Sequence, residues 1–362
     1  MKKPIFVVIP VYNAEKYLEI TVHSVLDQPH ANVQIILVDD GSPDSSPQIC
    51  DKLCEADSRI CVIHQGNGGV SKARNTGIEA ALEKTMQIND DAYIAFLDAD
   101  DMWKQNMNWD VEDGENADII AYSSVMSNAK GNRFQILHRF DRGNVLGDGA
   151  NLAWVNNGHF AAFLYRAGFV REYNLRFLEG VTRNEDVIFW RQATFAARKI
   201  LFSPEILLIY RMHGGSVMHN GSISYIETLH IPKAWNRAIE WIHSLPTATD
   251  IQKERWAANC TISVGSTLLE CARILAQHGY SVEQIKGIIL ENPLAKQIDG
   301  LTVEALAQWQ KEDLVMFRTD LEGFVRYHKK QGRLIEIARK ISKLPVIKKV
   351  FENRRYNLLE IT

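Results

Sequence analysis

The chain has 362 residues, enough for two domains, and 46% of them are hydrophobic, enough to fill a core. The formal net charge of −3 excludes nucleic-acid binding by the charge of the whole molecule. Five cysteines (Cys50, Cys54, Cys61, Cys260 and Cys271), an odd number with no Cys-x-x-Cys pair, exclude a disulfide framework or zinc site and indicate a cytoplasmic protein with reduced thiols. The basic start and short apolar run are interrupted by Pro10 and the polar Tyr12-Asn13-Ala14-Glu15, too early for a signal peptide. No uncharged apolar stretch approaches the roughly 20 residues that a membrane span needs. In chain order, Ile5–Ile9 reads as a strand, Tyr12–Leu26 as a helix and Ile35–Val38 as a second strand. Pro47–Glu55 reads as helix, Ile60–Ile63 as strand, Val70–Leu82 as helix and Tyr93–Leu97 as the fourth strand. This alternation predicts an α/β domain of parallel strands with helical crossovers. Ligands of such sheets bind beyond the carboxyl ends of the strands.

Further along, Asp118–Tyr122 and Phe163–Tyr165 read as strands, Glu185–Ala197 as a helix and Ile206–Arg211 as a last strand. Beyond residue 216 the spacing predicts helices over Ser222–Leu245, Asp250–His278, Ser281–Glu291 and Asp313–Lys343, with a capping box at Ser281-Val282-Glu283-Gln284. The expected domains are therefore 1–216, a helical region 217–325, and a C-terminal tail 326–362.

The chemistry-bearing residues gather at predicted strand ends. Phe96-Leu97-Asp98-Ala99-Asp100-Asp101 puts three carboxylates at the tip of a buried strand, where they repel one another unless a cation or donors neutralise them. A hard divalent cation, Mg²⁺ or Mn²⁺, with phosphate oxygens would do so; the plain reading is an acidic, solvated turn. Pro10-Val11-Tyr12-Asn13 offers an aromatic face for a planar base, or a half-buried helix start. In Val38-Asp39-Asp40-Gly41-Ser42, Asp39 lies nearest the strand and could accept a base imide N–H; Asp40, Ser42 and Asp44 fit a capped turn equally well. The Gly-rich turn Gln65-Gly66-Asn67-Gly68-Gly69 opens a helix and could bring backbone N–H groups to a phosphate. Arg74 could contact base or diphosphate, or pair with a carboxylate such as Asp39.

Four segments, in this order, resemble inverting glycosyltransferases of family 2, which have the GT-A fold. They are Val-Ile-Pro-Val-Tyr-Asn at 8–13, Val-Asp-Asp-Gly-Ser at 38–42, Asn-Gly-Gly-Val-Ser-Lys-Ala-Arg-Asn-Thr-Gly at 67–77 and Phe-Leu-Asp-Ala-Asp-Asp at 96–101. The resemblance implies that Tyr12 and Asp39 contact the nucleotide base. It implies that Asp98 lies near the ribose and that Asp100 binds the metal holding the diphosphate. Pro10, Asn67, Gly68 and Arg74 complete the expected nucleotide-binding set, and Asp101 is a cap or supporting group. Asn184-Glu185-Asp186 resembles the family's Glu-Asp catalytic motif; Asp186 is preferred over Glu185 as the base that takes the acceptor proton. Without the resemblance, both acids could simply complement a helix dipole. Tyr210-Arg211-Met212-His213 resembles a segment near the end of the family's catalytic domain, with His213 reaching the metal or diphosphate.

Residues 326–355 hold eleven Lys/Arg against two acids, a net +9 that leaves −12 for the rest. Leu334, Ile337, Ala338, Ile341 and Leu344 share one helical face. Two readings stay open: a basic amphipathic helix lying on an anionic membrane, or a helix packing that stripe on the protein.

The expected activity is metal-dependent, inverting transfer of a sugar from a nucleotide-sugar, a UDP-sugar by preference, to a hydroxyl of a saccharide or lipid-linked acceptor. The expected setting is bacterial surface polysaccharide or glycolipid synthesis, in the cytoplasm or peripherally on the inner face of the membrane. The rivals are a nucleotidyltransferase of related fold, which would release pyrophosphate, and a non-catalytic nucleotide-sugar or lipid-binding relative. A dehydrogenase is excluded because no Gly-x-Gly-x-x-Gly follows the first strand.

Overall fold

A computed structural model describes residues 3–29, 32–88, 92–109, 116–128, 134–146, 159–181, 183–213, 230–246, 248–290 and 308–342. These fall into two compact units, one within Met1–Gly180 and Glu185–His219, the other within Val181–Asn184 and Asn220–Tyr356.

The first unit is built on a ten-stranded sheet. Its strands are β1 (Ile5–Val11), β2 (Val33–Asp39), β3 (Ile60–His64), β4 (Tyr93–Phe96), β5 (Met102–Trp103), β6 (Ile119–Ser127), β7 (Phe134–His138), β8 (Gly143–Leu146), β9 (Phe163–Arg166) and β10 (Lys199–Arg211). The order is β3-β2-β1-β4-β9-β6-β10-β5, with β7 on β6 and β8 on β10. Helices α1 (Leu18–Leu26), α2 (Ser46–Ala56) and α3 (Val70–Met86) connect the first four strands, which are parallel. β1, β2 and β4 are mainly apolar and buried, as helix-covered parallel strands are, while β3 at the sheet edge is half-buried. Gly77 lets α3 approach β1: a Cβ there would stand 2.2 Å from Val8 Cγ1.

The all-parallel expectation ends at β4. Strand β9 runs antiparallel between β4 and β6, and β5, β7 and β8 also pair antiparallel, so the sheet is mixed. Helices α4 (Ala167–Glu172) and α5 (Glu185–Ala196) complete this unit. Asp118 ties its strands together, accepting the Arg166 side chain (2.5 Å) and the Arg198 backbone N–H (2.8 Å).

The helix expected over Tyr12–Leu26 begins only at Leu18. Asn13 adopts a left-handed φ of 54°, and the N–H groups of Asn13, Ala14 and Glu15 are taken by the side chains of Ser42, Ser46 and Asp44. Donors captured from outside leave the first turn open.

The second unit holds α6 (His230–Ser244), α7 (Asp250–Gln277), α8 (Val282–Ile285), α9 (Gln308–Thr319) and α10 (Leu321–Ser342). The capping box at Ser281/Gln284 is present, but α8 runs into a π-turn over Lys286–Leu290. The helix expected over Asp313–Lys343 is two helices, broken where Asp320 Oδ1 accepts the Gly323 N–H (2.8 Å). Trp256 and Phe324 are fully buried in this unit.

Candidate active site

The parallel register aligns the strand tips. Val11 stands beside Asp39 and Asp39 beside His64, while β4 stops at Phe96, paired with Val8. Pro10 lies on the β4-facing side of β1, past that last pair, so its missing N–H breaks no ladder bond. Tyr12, just past the strand, is 54% exposed, its ring available for stacking.

Asp39 is buried; its Oδ1 accepts the Ser42 N–H (3.1 Å) and its Oδ2 faces His64 Nδ1 (2.9 Å). Gly41 makes the turn that follows with a φ of 69°. Asp40 is buried as well and takes the donors of the Gly-rich turn. The Gly68 N–H (2.9 Å), the Gly69 N–H (2.8 Å) and the Gln65 side-chain amide (2.7 Å) all donate to it. The amides that the sequence offered to a phosphate therefore hold a carboxylate of the protein itself, and Asp40 is a structural anchor for the exposed Asn67 and Gly68.

Arg74 is buried, and its partners are not Asp39. Nη2 donates to Asp98 Oδ1 (2.7 Å) and Nη1 to Glu185 Oε1 (3.2 Å). The guanidinium lies over Phe160 and Phe177, 4.6 and 5.0 Å from their ring centroids. Those rings belong to an aromatic cluster around Phe96, in which Phe177 and Phe189 stack at 4.1 Å. Cation–π attraction and two carboxylates offset the cost of burying this charge. Desolvation pushes the Glu185 carboxyl above its usual range, and the Asp186 charge adds to this, while Arg74 opposes it. Asp186 stands in the first turn of α5 and its Oδ1 accepts the Val187 N–H (2.7 Å).

Asp100 and His213 meet although they lie far apart in the chain: His213 Nε2 is 2.8 Å from Asp100 Oδ2. Burial and the charge of Asp98 raise the Asp100 carboxyl above its usual range. Asp101 explains the meeting. It is fully buried, and its Oδ1 accepts the Arg211 N–H (2.8 Å), which pins the end of β10 to the acidic turn. Thr21 Oγ1 donates to the Ala99 and Asp101 carbonyls from α1.

No cluster of three or more metal-ligating side chains occurs among the described residues. An Asp–His pair still fits a divalent ion whose other ligands are diphosphate oxygens and water. Two ligands at right angles on such an ion stand about 2.9 Å apart, close to the separation observed.

The sequence reading missed His64 and Asn75. Asn75 clamps the Phe177 backbone, donating to its O (2.9 Å) and accepting from its N (2.8 Å). His64 bridges Asp39 and Asp51. Its position just past an apolar run was the available signal; the partners emerge only once β2 and β3 are in register.

The family model for glycosyl transferase family 2 matches residues 6–173. An uncharacterized glycosyltransferase, EpsJ of Bacillus subtilis, is 32% identical over 222 residues, covering 58% of this chain and 62% of that protein. The minor teichoic acid biosynthesis protein GgaA of the same organism is 31% identical over 204 residues, covering 54% and 43%. The chain thus spans less than two thirds of the length of these relatives. Among solved structures, S. aureus TarS 1–349 in complex with UDP-GlcNAc is similar, with a TM-score of 0.64 and 17% identity over 92% of each chain. At that identity the likeness is one of fold.

Proposed function

We propose that the protein is a metal-dependent, inverting glycosyltransferase with the GT-A fold, from the premise that residues 6–173 match the family model for glycosyl transferase family 2. It moves a sugar from a nucleotide-sugar, preferentially a UDP-sugar, to a hydroxyl of a saccharide or lipid-linked acceptor in bacterial surface polysaccharide synthesis. The observation that carries this reading is the Arg74 bridge, which joins Asp98 at the β4 tip to Glu185 beside Asp186. The UDP-GlcNAc bound by TarS supports the choice of donor, and the role of GgaA supports the polymer class.

In this reading Tyr12 stacks on the base, Asp39 accepts its imide N–H, and Asp98 stands at the ribose. Asp100 and His213 would hold Mg²⁺ or Mn²⁺. When bound, the cation neutralises charge on the departing diphosphate. Asp186 takes the acceptor proton as that oxygen attacks C1 of the sugar. The C1–oxygen bond to the diphosphate breaks on the opposite face, so the configuration inverts. Arg74 bonds Glu185 directly and acts on Asp186 only through its charge. The enzyme works in the cytoplasm, with the basic residues beyond Arg333 touching an anionic membrane surface.

The test is a donor screen with Mn²⁺ and a panel of saccharide and lipid-linked acceptors, reading the released nucleotide. Released UDP supports the proposal. Pyrophosphate would make the protein a nucleotidyltransferase, and binding without turnover across the panel would make it a non-catalytic relative.

A further inference from the structure

His64 ends β3 directly beside Asp39 on β2. Its Nδ1 is 2.9 Å from Asp39 Oδ2 and its Nε2 is 3.0 Å from Asp51 Oδ1 on α2. Ionised carboxylates only accept hydrogen bonds, so a ring facing two of them satisfies both only by donating from both nitrogens. That ring is the imidazolium. Asp39 is 5% exposed at its side chain, whereas His64 and Asp51 are 44% and 59% exposed. A buried carboxylate needs such a partner, and its cation is solvated on the outer side.

The other groups around the ring do not compete for it. Cys50 of α2 is buried, its thiol pushed up to about 12 by burial and by the charges of Asp39 and Asp51, so it is neutral. Asp40 is spent on Gln65 and the Gly68 and Gly69 amides.

We infer that His64 is a positioning residue for nucleobase selection, an imidazolium that holds Asp39 in its base-reading orientation as an acceptor only. The inference rests on the proposed role of Asp39. An acceptor-only carboxylate favours a base that presents an N–H, such as uracil or guanine, over cytosine, which presents a lone pair at the corresponding ring nitrogen. Hydrogen bonds to Asp39 and Asp51 raise the His64 pKa above its usual value, so the charge is kept to higher pH than in a free imidazole and is lost as pH rises through the raised pKa.

The experiment is calorimetric binding of UDP and CDP from pH 6 to 9 in Mg²⁺ buffer. It compares the full chain with His64→Ala, His64→Gln, Asp51→Asn and Asp39→Asn. UDP affinity of the unaltered protein should hold at low pH and fall as pH climbs through the His64 titration. Asp51→Asn should move that fall to lower pH, because one of two supporting carboxylates is gone; titration of UDP itself is common to both proteins. His64→Ala should weaken UDP roughly tenfold and narrow the preference over CDP, the scale of losing one charge-assisted hydrogen bond. His64→Gln, a neutral donor, should recover part of the affinity without the pH step. Superimposable curves for Asp51→Asn and the unaltered protein overturn the inference. So do unchanged UDP affinity and selectivity in His64→Ala while Asp39→Asn loses them. If Asp39→Asn itself keeps its UDP affinity, the base-reading role of Asp39 falls and this inference falls with it.

Discussion

Asp101 spends its carboxylate on the Arg211 backbone, whereas its neighbour Asp100 faces His213. Asp101→Asn keeps an oxygen for the Arg211 N–H and should retain transfer. Asp101→Ala leaves that buried amide without its partner and should cost about 1–3 kcal/mol in denaturant melts. Asp100→Ala should abolish transfer and metal-dependent donor binding with the fold intact; near-normal turnover would remove it from the metal site. At the other end of the Arg74 bridge, Asp186→Asn should keep donor affinity while kcat falls by about 10²-fold or more. If Glu185→Gln shows that pattern instead, the two roles exchange. At this scale the sequence exposed the acids but not their couplings. The motif at 96–101 marks three carboxylates, yet only the docking of β10 separates Asp101, bound to the Arg211 backbone, from Asp100, which faces His213. Arg74 read equally well as a partner of Asp39 because its placement over Phe160 and Phe177 depends on rings far along the chain.

The four parallel strands and α3 followed from apolar runs and helical spacing, because each is a local pattern closed by local turns. The antiparallel course of β9 was not legible, since Phe163–Arg166 carries no mark of its partners. The late start of α1 was hidden for the same reason: the side chains that capture the amides of Asn13, Ala14 and Glu15 come from the loop before α2 and from its first residue. A prediction at this scale concerns the contact between α3 and β1. Gly77→Ala places a methyl group 2.2 Å from Val8 Cγ1. Overpacking of this kind costs about 1–3 kcal/mol, so the thermal midpoint should drop, and a second change, Val8→Ala, should restore part of it.

Across the whole molecule, the basic C-terminal segment divides in two. His328 bonds Asp313 (2.9 Å) inside the second unit, and a Cβ on Gly332 would stand 2.1 Å from the Gln277 carbonyl oxygen. The first turns of the segment therefore pack within the second unit, and ending the chain after residue 325 should destabilise the helical unit. Of the expected apolar stripe, Leu334 is half exposed; the side chains of Ile337, Ala338 and Ile341, and all of Leu344, lie outside the described residues. No described helix is long and apolar enough to cross a membrane. Ending the chain after Arg333 removes seven of the eleven basic residues and keeps His328 and Gly332. That shorter chain should stay folded by circular dichroism and lose sedimentation with anionic vesicles, while the full chain should bind them less as salt rises. Equal sedimentation of both would dismiss the membrane role. The latch between Asp101 and Arg211 also orders events during synthesis. Tyr12, Asp39 and Asp98, the proposed nucleotide contacts, all belong to the first hundred residues. The proposed metal pair is completed later, because His213 is made 113 residues after Asp100. A ribosome-bound chain halted before β10 should therefore lack the proposed metal pair, and any nucleotide it binds should be held without dependence on Mg²⁺ or Mn²⁺.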